Sequence, residues 1–204
     1  MVEALEKHKD SLEVEICRVI ADLQSEMLVL ATDPHGNHVL QAFLVSFRAS
    51  EQPQDRDIPG TERFAKFTNF IFQACIEFCD QIGRHKHGCC VMQRCLEKGM
   101  VNQKLALADA IIAHLEHFIE DAFGNYLVQN VIKLQNASCN DKIFRVIARD
   151  FARLSQLKFS SNVIEKCLEC PQAEAQIALI LTGQHAVDDR TCERVLGANA
   201  RCTT

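Results

Sequence analysis

The feature that most constrains this chain is a short run of residues that returns at a fixed spacing. It is most complete in Asp121-Ala-Phe-Gly-Asn125-Tyr126-Leu-Val-Gln129. Thirty-six residues later stands Phe159-Ser-Ser161-Asn162-Val-Ile-Glu165. Thirty-six residues earlier stands His87-Gly-Cys89-Cys90-Val-Met-Gln93, and before that His35-Gly-Asn37-His38-Val-Leu-Gln41. Each copy has a small residue, two variable residues, two apolar residues, then Gln or Glu. Self-similarity at such a period marks a stacked repeat architecture, in which a unit buries its apolar face only against its neighbours.

Asn37 and Cys89 are 52 residues apart, against 36 for each of the next two intervals. The surplus of 16 matches the polar stretch Arg48 to Thr61, which holds two of the chain's four prolines. Insertions in repeat arrays map to surface loops, so residues 49–61 read as a loop and the periodicity survives around it.

Between the motif copies the apolar residues keep helical spacing. Glu3 to Ala31 is helix-rich, and Asp33-Pro34 breaks it. Asp33 suits an N-cap and Pro34 a first helical residue for the first motif helix, which runs to about Phe47. Glu62–Phe78, Lys104–Ile119 and Lys142–Leu154 read as helices, each followed by a motif copy. Pro171 opens another, running to about Leu181 and ended by Gly183. No segment of any length has the strand period. The expected class is all-α, with two sizeable helices and a short third turn per period. The whole chain, 1–204, reads as one solenoid domain with repeats at about 12–48, 62–99, 104–136 and 142–170. Residues 171–204 form a degenerate C-terminal segment.

On a helix of about 100° per residue, with Asn37 at zero, His38 falls near 100° and Gln41 near 40°. Val39, Leu40, Phe43 and Leu44 centre on roughly 270°. The same division holds for Val91/Met92/Cys95/Leu96, Leu127/Val128/Val131/Ile132 and Val163/Ile164/Cys167/Leu168. Each motif helix is therefore expected to bury one stripe and to present its three chosen residues on the other side. A row of amide, hydroxyl and carboxylate groups is poor core material. Asn and Gln offer a donor and an acceptor, and ionised Glu accepts only, so such a row suits the reading of base edges. A flat side chain at the middle position suits stacking on a base.

These triplets and their period resemble the Pumilio-family (PUF) RNA-binding repeats. The resemblance covers residues 12 to 182 and is to repeats four to seven of an eight-repeat member. It implies a curved, right-handed α-solenoid with partial flanking helices, each repeat reading one base of single-stranded RNA. It further implies that Asn37/Gln41 read uracil with His38 stacking, Cys89/Gln93 adenine, Asn125/Gln129 uracil with Tyr126 stacking, and Ser161/Glu165 guanine with Asn162 beside it. Family members bind RNA antiparallel, so the implied sequence is 5′-GUAU-3′ within UGUA-type elements. Cys90 occupies the middle position where adenine-reading repeats usually carry arginine, and a thiol cannot stack as a guanidinium does. The tail Leu196 to Thr203 only faintly resembles a further repeat, so a fragment or a reduced family member is expected. By the same resemblance the chain would regulate mRNA through 3′ untranslated regions, as a monomer in the cytoplasm, with protein effectors on its convex face.

Several other functions are disfavoured. Eleven cysteines, an odd number lying mostly in apolar stretches, read as buried thiols of a reducing compartment. Cys75/Cys79, His85/His87, Cys89/Cys90 and Cys167/Cys170 could suggest zinc, but packing thiols are the expectation. No cofactor is expected, and no nucleophile–base pair or phosphate-binding loop marks an enzyme. No run approaches the ~18 apolar residues of a membrane helix. The net charge of −5 argues against a general nucleic-acid binder, although Arg84, His85, Lys86, Arg94 and Lys98 cluster around one motif copy. The alternative reading is a protein-interaction scaffold of solenoid type, or a PUF derivative that binds RNA without base reading.

Overall fold

A computed structural model describes residues 14–46 and 60–170 of the chain. The expected helix over Pro171–Leu181, the tail, the first 13 residues and most of the loop lie outside the described residues. Every regular element among the described residues is a helix. The chain divides into two compact units, Met1–Leu107 and Ala108–Thr204.

In the first unit, α1 spans residues 14–24, α2 Met27–Thr32, α3 Gly36–Ser46, α4 Gly60–Glu77, α5 Cys79–Gly83 and α6 Gly88–Lys98. The long α7, Val101–Ala113, opens in this unit. The second contains α8 Leu115–Glu120, α9 Gly124–Lys133, α10 Ala137–Arg149, α11 Phe151–Gln156 and α12 Ser160–Leu168. Each motif copy thus sits on its own helix, preceded by a long helix and a short one.

The sequence reading ran those last two together. The expected helices Lys104–Ile119 and Lys142–Leu154 are each broken, at His114 (φ −108°, ψ 19°) and at Asp150 (φ −140°, ψ 36°). Phe78 breaks the α4–α5 run at φ −103°, ψ 32°, and Glu26 the α1–α2 run at φ −114°, ψ 15°. These are near-bridge conformations that turn the chain without glycine or proline. Apolar spacing continues across His114 and Asp150, so periodicity could not reveal those two breaks, whereas the expected helix Glu62–Phe78 ends at its break. The helix after the insertion also begins at Gly60, inside the expected loop.

The short helices bring the chain very close to the motif helices that follow. A Cβ on Gly88 would lie 2.3 Å from the carbonyl oxygen of Ile82, and one on Gly124 would lie 2.7 Å from the Phe118 ring. The equivalent Ser160 is buried and turns its hydroxyl to use, donating to the Leu154 carbonyl at 2.6 Å.

In the first unit α3 packs on α2, α4 and α6. Phe67, Ile71 and Phe72 of α4 and Leu40 and Leu44 of α3 are fully buried, and Phe43 meets Phe70 edge to face at 5.7 Å. Such side chains each contribute about 1.5–3 kcal/mol. In the second unit α9 packs on α8, α10 and α12. There Arg153 clasps Glu120 through two bonds of 2.6 and 3.0 Å, and Lys142 reaches Asp109 at 2.8 Å. Both pairs link neighbouring repeats but are about half exposed, so they add little stability.

The expected buried stripes hold with three exceptions, the first of them Phe43, which is half-buried. Val91, Met92, Cys95 and Leu96, and Leu127, Val128, Val131 and Ile132, are all buried, but Val39 is 51% exposed and Leu168 52%. A helix face buried in a repeat array needs a neighbouring repeat to cover it, and a helical wheel cannot count neighbours.

Candidate functional site

Each motif helix is entered through a turn built by its own sequence. The Asp33 carboxylate accepts from the N–H groups of His35 (2.8 Å) and Gly36 (2.7 Å). Asp121 does the same for Phe123 (2.9 Å) and Gly124 (2.8 Å). The two N–H bonds, Gly36 first, hold the Asp33 carboxyl below its ordinary range. Asp33 thus holds the entry turn through its carboxylate, but it stands three residues before Gly36, where the helix begins, and not at the N-cap as expected. Pro34 lies in the turn, two residues before the helix begins.

The triplets are not presented as a uniform face. Asn37, Cys89 and Asn125 are buried, only 2, 3 and 0% exposed, and Ser161 is half-buried. The first-position side chain folds back along the opening turn and donates to the carbonyl three residues before it in every repeat. Asn37 Nδ2 donates to Pro34 at 2.9 Å, Cys89 Sγ to Lys86 at 3.4 Å, Asn125 Nδ2 to Ala122 at 3.1 Å and Ser161 Oγ to Lys158 at 3.3 Å. The residues allowed at this position share one property: a short side chain with a donor. The wheel missed this duty because it assigns every helical position to an outward direction, whereas near a helix start side chains satisfy backbone groups.

Asparagine does more than cysteine or serine. Nδ2 of Asn37 also donates to the Asp33 carbonyl at 2.8 Å, and that of Asn125 to the Asp121 carbonyl at 2.8 Å. With two carbonyls demanding the NH2 end, the amide can point only its oxygen toward the third residue. That oxygen accepts from Gln41 Nε2 at 2.9 Å in one repeat and from Gln129 Nε2 at 3.0 Å in the other. Gln41 and Gln129 are therefore tethered by one N–H, leaving Oε1 and a second N–H available. Gln93, below Cys89, has no such tether.

The second-position residues His38, Cys90, Tyr126 and Asn162 are all exposed, and the third-position residues Gln41, Gln93, Gln129 and Glu165 are half-buried or exposed. Two second-position groups lean back on their own helices: Cys90 Sγ donates to Lys86 at 3.5 Å and Asn162 Nδ2 to Lys158 at 3.5 Å. In the first unit α3 and α6 pack side by side, and in the second α9 and α12 do so. Each unit thus pairs two neighbouring triplets.

Of the basic cluster, Arg84 faces Asp80 at 3.7 Å and Arg94 pairs with Glu97 at 2.7 Å, so part of its charge is locally answered. His87, at the entry to α6, has a buried Nε2 without a hydrogen-bond partner. Burial holds its pKa below the usual histidine value, aided by Lys86, His85 and His38 and opposed by Asp33.

Seven of the nine described cysteines are buried free thiols, and Cys17 and Cys90 are exposed. Burial pushes the thiols of Cys79 and Cys167 up to about 12, which makes both unreactive packing groups at neutral pH. No helix among the described residues is long and apolar enough to cross a membrane.

The Pumilio-family RNA binding repeat model matches residues 27–52, 78–112, 115–148 and 152–181. Its unit runs short helix, motif helix, long helix. The chain is 34% identical over 164 residues to pumilio homolog 9 of Arabidopsis thaliana, covering 80% of this chain and 26% of that protein. It is 33% identical over 154 residues to a pumilio domain-containing protein of Schizosaccharomyces pombe, covering 76% of this chain and 20% of that protein. The chain thus spans only about a fifth to a quarter of the curated relatives it matches. Among solved structures it is similar to the Puf4 RNA binding domain bound to an HO endonuclease RNA 3′ UTR recognition sequence. There the identity is 34% and the TM-score 0.67, over 83% of this chain and 49% of that one. It also resembles the RNA-binding domain of yeast Puf5p bound to AAT2 RNA, at 31% identity and a TM-score of 0.58, over 70% of this chain and 36% of that one. With four repeats matched over more than half of its length, the chain belongs to the Pumilio family of RNA binding repeat proteins.

Proposed function

We propose that this chain binds single-stranded RNA sequence-selectively, reading 5′-GUAU-3′ within UGUA-type elements of mRNA 3′ untranslated regions and so regulating those transcripts. The observation that carries the reading is the shared display of the four triplets: an exposed second side chain beside a third that is half-buried or exposed. Gln41 and Gln129, tethered through Nε2, each keep one acceptor and one donor, the complement of the N3–H and O4 of uracil. Glu165 is exposed, and an ionised carboxylate offers acceptors only, which suits the donor edge of guanine. Gln93 is free to turn its amide either way and is assigned adenine. His38 and Tyr126 supply flat surfaces for stacking, Asn162 stands beside the guanine, and Cys90 leaves the adenine unstacked. Asn37, Cys89, Asn125 and Ser161 complete each reading position from beneath. RNA-bound Puf4 and Puf5p, with which the chain shares its repeats, support the ligand class. Cytoplasmic action through protein effectors on the opposite face belongs to the same reading.

The test is base-swapping. Fluorescence anisotropy with UGUAU-containing RNA should give affinity about 5- to 100-fold above that for the same RNA with its guanine replaced, the range of one good base contact. The double variant Ser161→Asn, Glu165→Gln should move the preference at that position from guanine to uracil. Unchanged preference would sink the assignment of this repeat.

A further inference from the structure

The residue four places before the first triplet position is Asp33 in the first repeat, His85 in the second, Asp121 in the third and Leu157 in the fourth. Asp33 and Asp121 clasp the turn into the motif helix by accepting two backbone N–H bonds each on a carboxylate. In the second repeat an imidazole takes this place: His85 Nδ1 accepts from the His87 N–H at 3.3 Å. A carboxylate keeps its lone pairs at neutral and mildly acid pH, and Asp33 is held below the ordinary range. A histidine nitrogen accepts only while unprotonated, since both nitrogens of an imidazolium are donors. Histidine changes charge between about pH 5 and 8. Among the described entry turns, the His85 clasp is therefore the one that a proton can open near neutrality.

The turn it holds carries the reading side chains of that repeat. The Lys86 carbonyl, inside the turn, accepts from Cys89 Sγ at 3.4 Å and from Cys90 Sγ at 3.5 Å. The His85 carbonyl accepts from the Cys89 N–H at 2.9 Å. Two residues of the triplet are thus placed by this short segment, and Gln93 follows one turn later on the same helix. Gln93 lacks the asparagine tether of Gln41 and Gln129, so its place depends on how the helix starts.

The groups around the turn are more basic than acidic. Lys86 and His87 stand beside His85 in the chain, with the two imidazole rings 5.6 Å apart. Of the elements packed on α6, α5 contributes Asp80, which faces Arg84 at 3.7 Å, and α3 contributes His38, with Asp33 before it. The third, α2, carries no titratable side chain. Lys86, His85 and His38 oppose a positive charge on His87, and Asp33 favours one.

We propose that His85 is a positioning residue that makes base selection by the second repeat proton-dependent. With Nδ1 unprotonated the turn is clasped and Gln93 selects adenine; with Nδ1 protonated the clasp opens and selection at that base is lost. The third repeat, clasped by Asp121, keeps its own selection. This rests on the base assignments of the four triplets.

Fluorescence anisotropy at about pH 7.5 and about pH 5.5, either side of the histidine range, tests it. Selectivity is read as a ratio of two RNAs at one pH, because added histidine charge raises attraction for every RNA alike. The preference for UGUAU over UGUCU, which changes the second repeat's base, should shrink about three- to tenfold at the lower pH, the worth of one hydrogen bond. The preference for UGUAU over UGAAU, which changes the third repeat's base, should hold at both and so controls for unfolding. His85→Asp and His85→Asn supply oxygen acceptors that survive at the lower pH, so each should retain the adenine preference there. His87→Gln should still lose it, since the clasp uses only the backbone N–H of residue 87. In that variant, without RNA, the amide resonance of residue 87 should follow the titration of the His85 ring by NMR. Four results would each overturn the proposal: an adenine preference independent of pH, an equal loss at the third repeat, a loss that persists in both His85 variants, or an amide that ignores the His85 ring. If both ratios are near one at the higher pH, the base assignments fail and this proposal with them, an outcome distinct from a selective repeat that ignores pH.

Discussion

Asn125 is the residue whose removal tests most of the reasoning at once. Alanine there deletes three hydrogen bonds: to the Asp121 carbonyl at 2.8 Å, to the Ala122 carbonyl at 3.1 Å, and from Gln129 at 3.0 Å. The Asp121 carbonyl keeps the backbone N–H of residue 125 at 3.3 Å, so its loss is partial. At a net 0.5–1.5 kcal/mol per bond, and with the site fully buried, the expected destabilisation is about 2–4 kcal/mol. For a chain of this size that lowers the melting temperature by roughly 5–15 °C. Asn125→Cys should recover about 1 kcal/mol of it, because Cys89 shows that a thiol at this position donates to the same carbonyl. The two variants share a second consequence: both release Gln129 from its tether. Its amide can then turn, so the preference for uracil over adenine at this repeat should fall, most cleanly in the better-folded cysteine variant. Thermal denaturation and anisotropy with uracil- and adenine-containing RNAs read the two effects separately. An alanine variant within about 0.5 kcal/mol of wild type, the scatter of ordinary surface substitutions, would refute the structural duty of the buried amide. A cysteine variant with undiminished uracil preference would refute its control of Gln129.

Two further outcomes follow from the helix entries. Gly88→Ala places a methyl 2.3 Å from the backbone oxygen of Ile82, where no side chain can rotate away, and should cost about 1–3 kcal/mol by chemical denaturation. His87 should titrate below the ordinary value of 6.5 in an NMR pH series, because burial disfavours its charged form. The unfolded chain then takes up this proton first, so the native state loses stability as pH falls below 6.5 toward the native pKa and gains none above it. His87→Gln should flatten that part of the stability–pH curve, and a native midpoint at or above 6.5 would contradict the burial argument.

The repeat period, the all-helical class and the four motif helices were legible in the sequence because they depend on spacing alone. A side chain every 100° and a unit every 36 residues determine which residues can share a face, whatever surrounds them. Even the 16-residue surplus between the first two copies could be set aside by counting. The expected helix Glu62–Phe78 ends at its break, but the breaks at His114 and Asp150 could not be seen, since each is a backbone turn with no residue signature and apolar spacing on both sides. The direction taken by Asn37, Cys89 and Asn125 was also hidden. Their polarity argued for an outward position, but carbonyls left open by the first helical turn draw them inward. Tertiary structure alone decided that the first triplet side chain bonds to the opening turn of its own helix and that Gln129 is held where Gln93 is not. It also decided that Val39 and Leu168, identical in pattern to buried neighbours, face water, because burial depends on what lies alongside and a periodic sequence repeats its faces without recording which of them is covered.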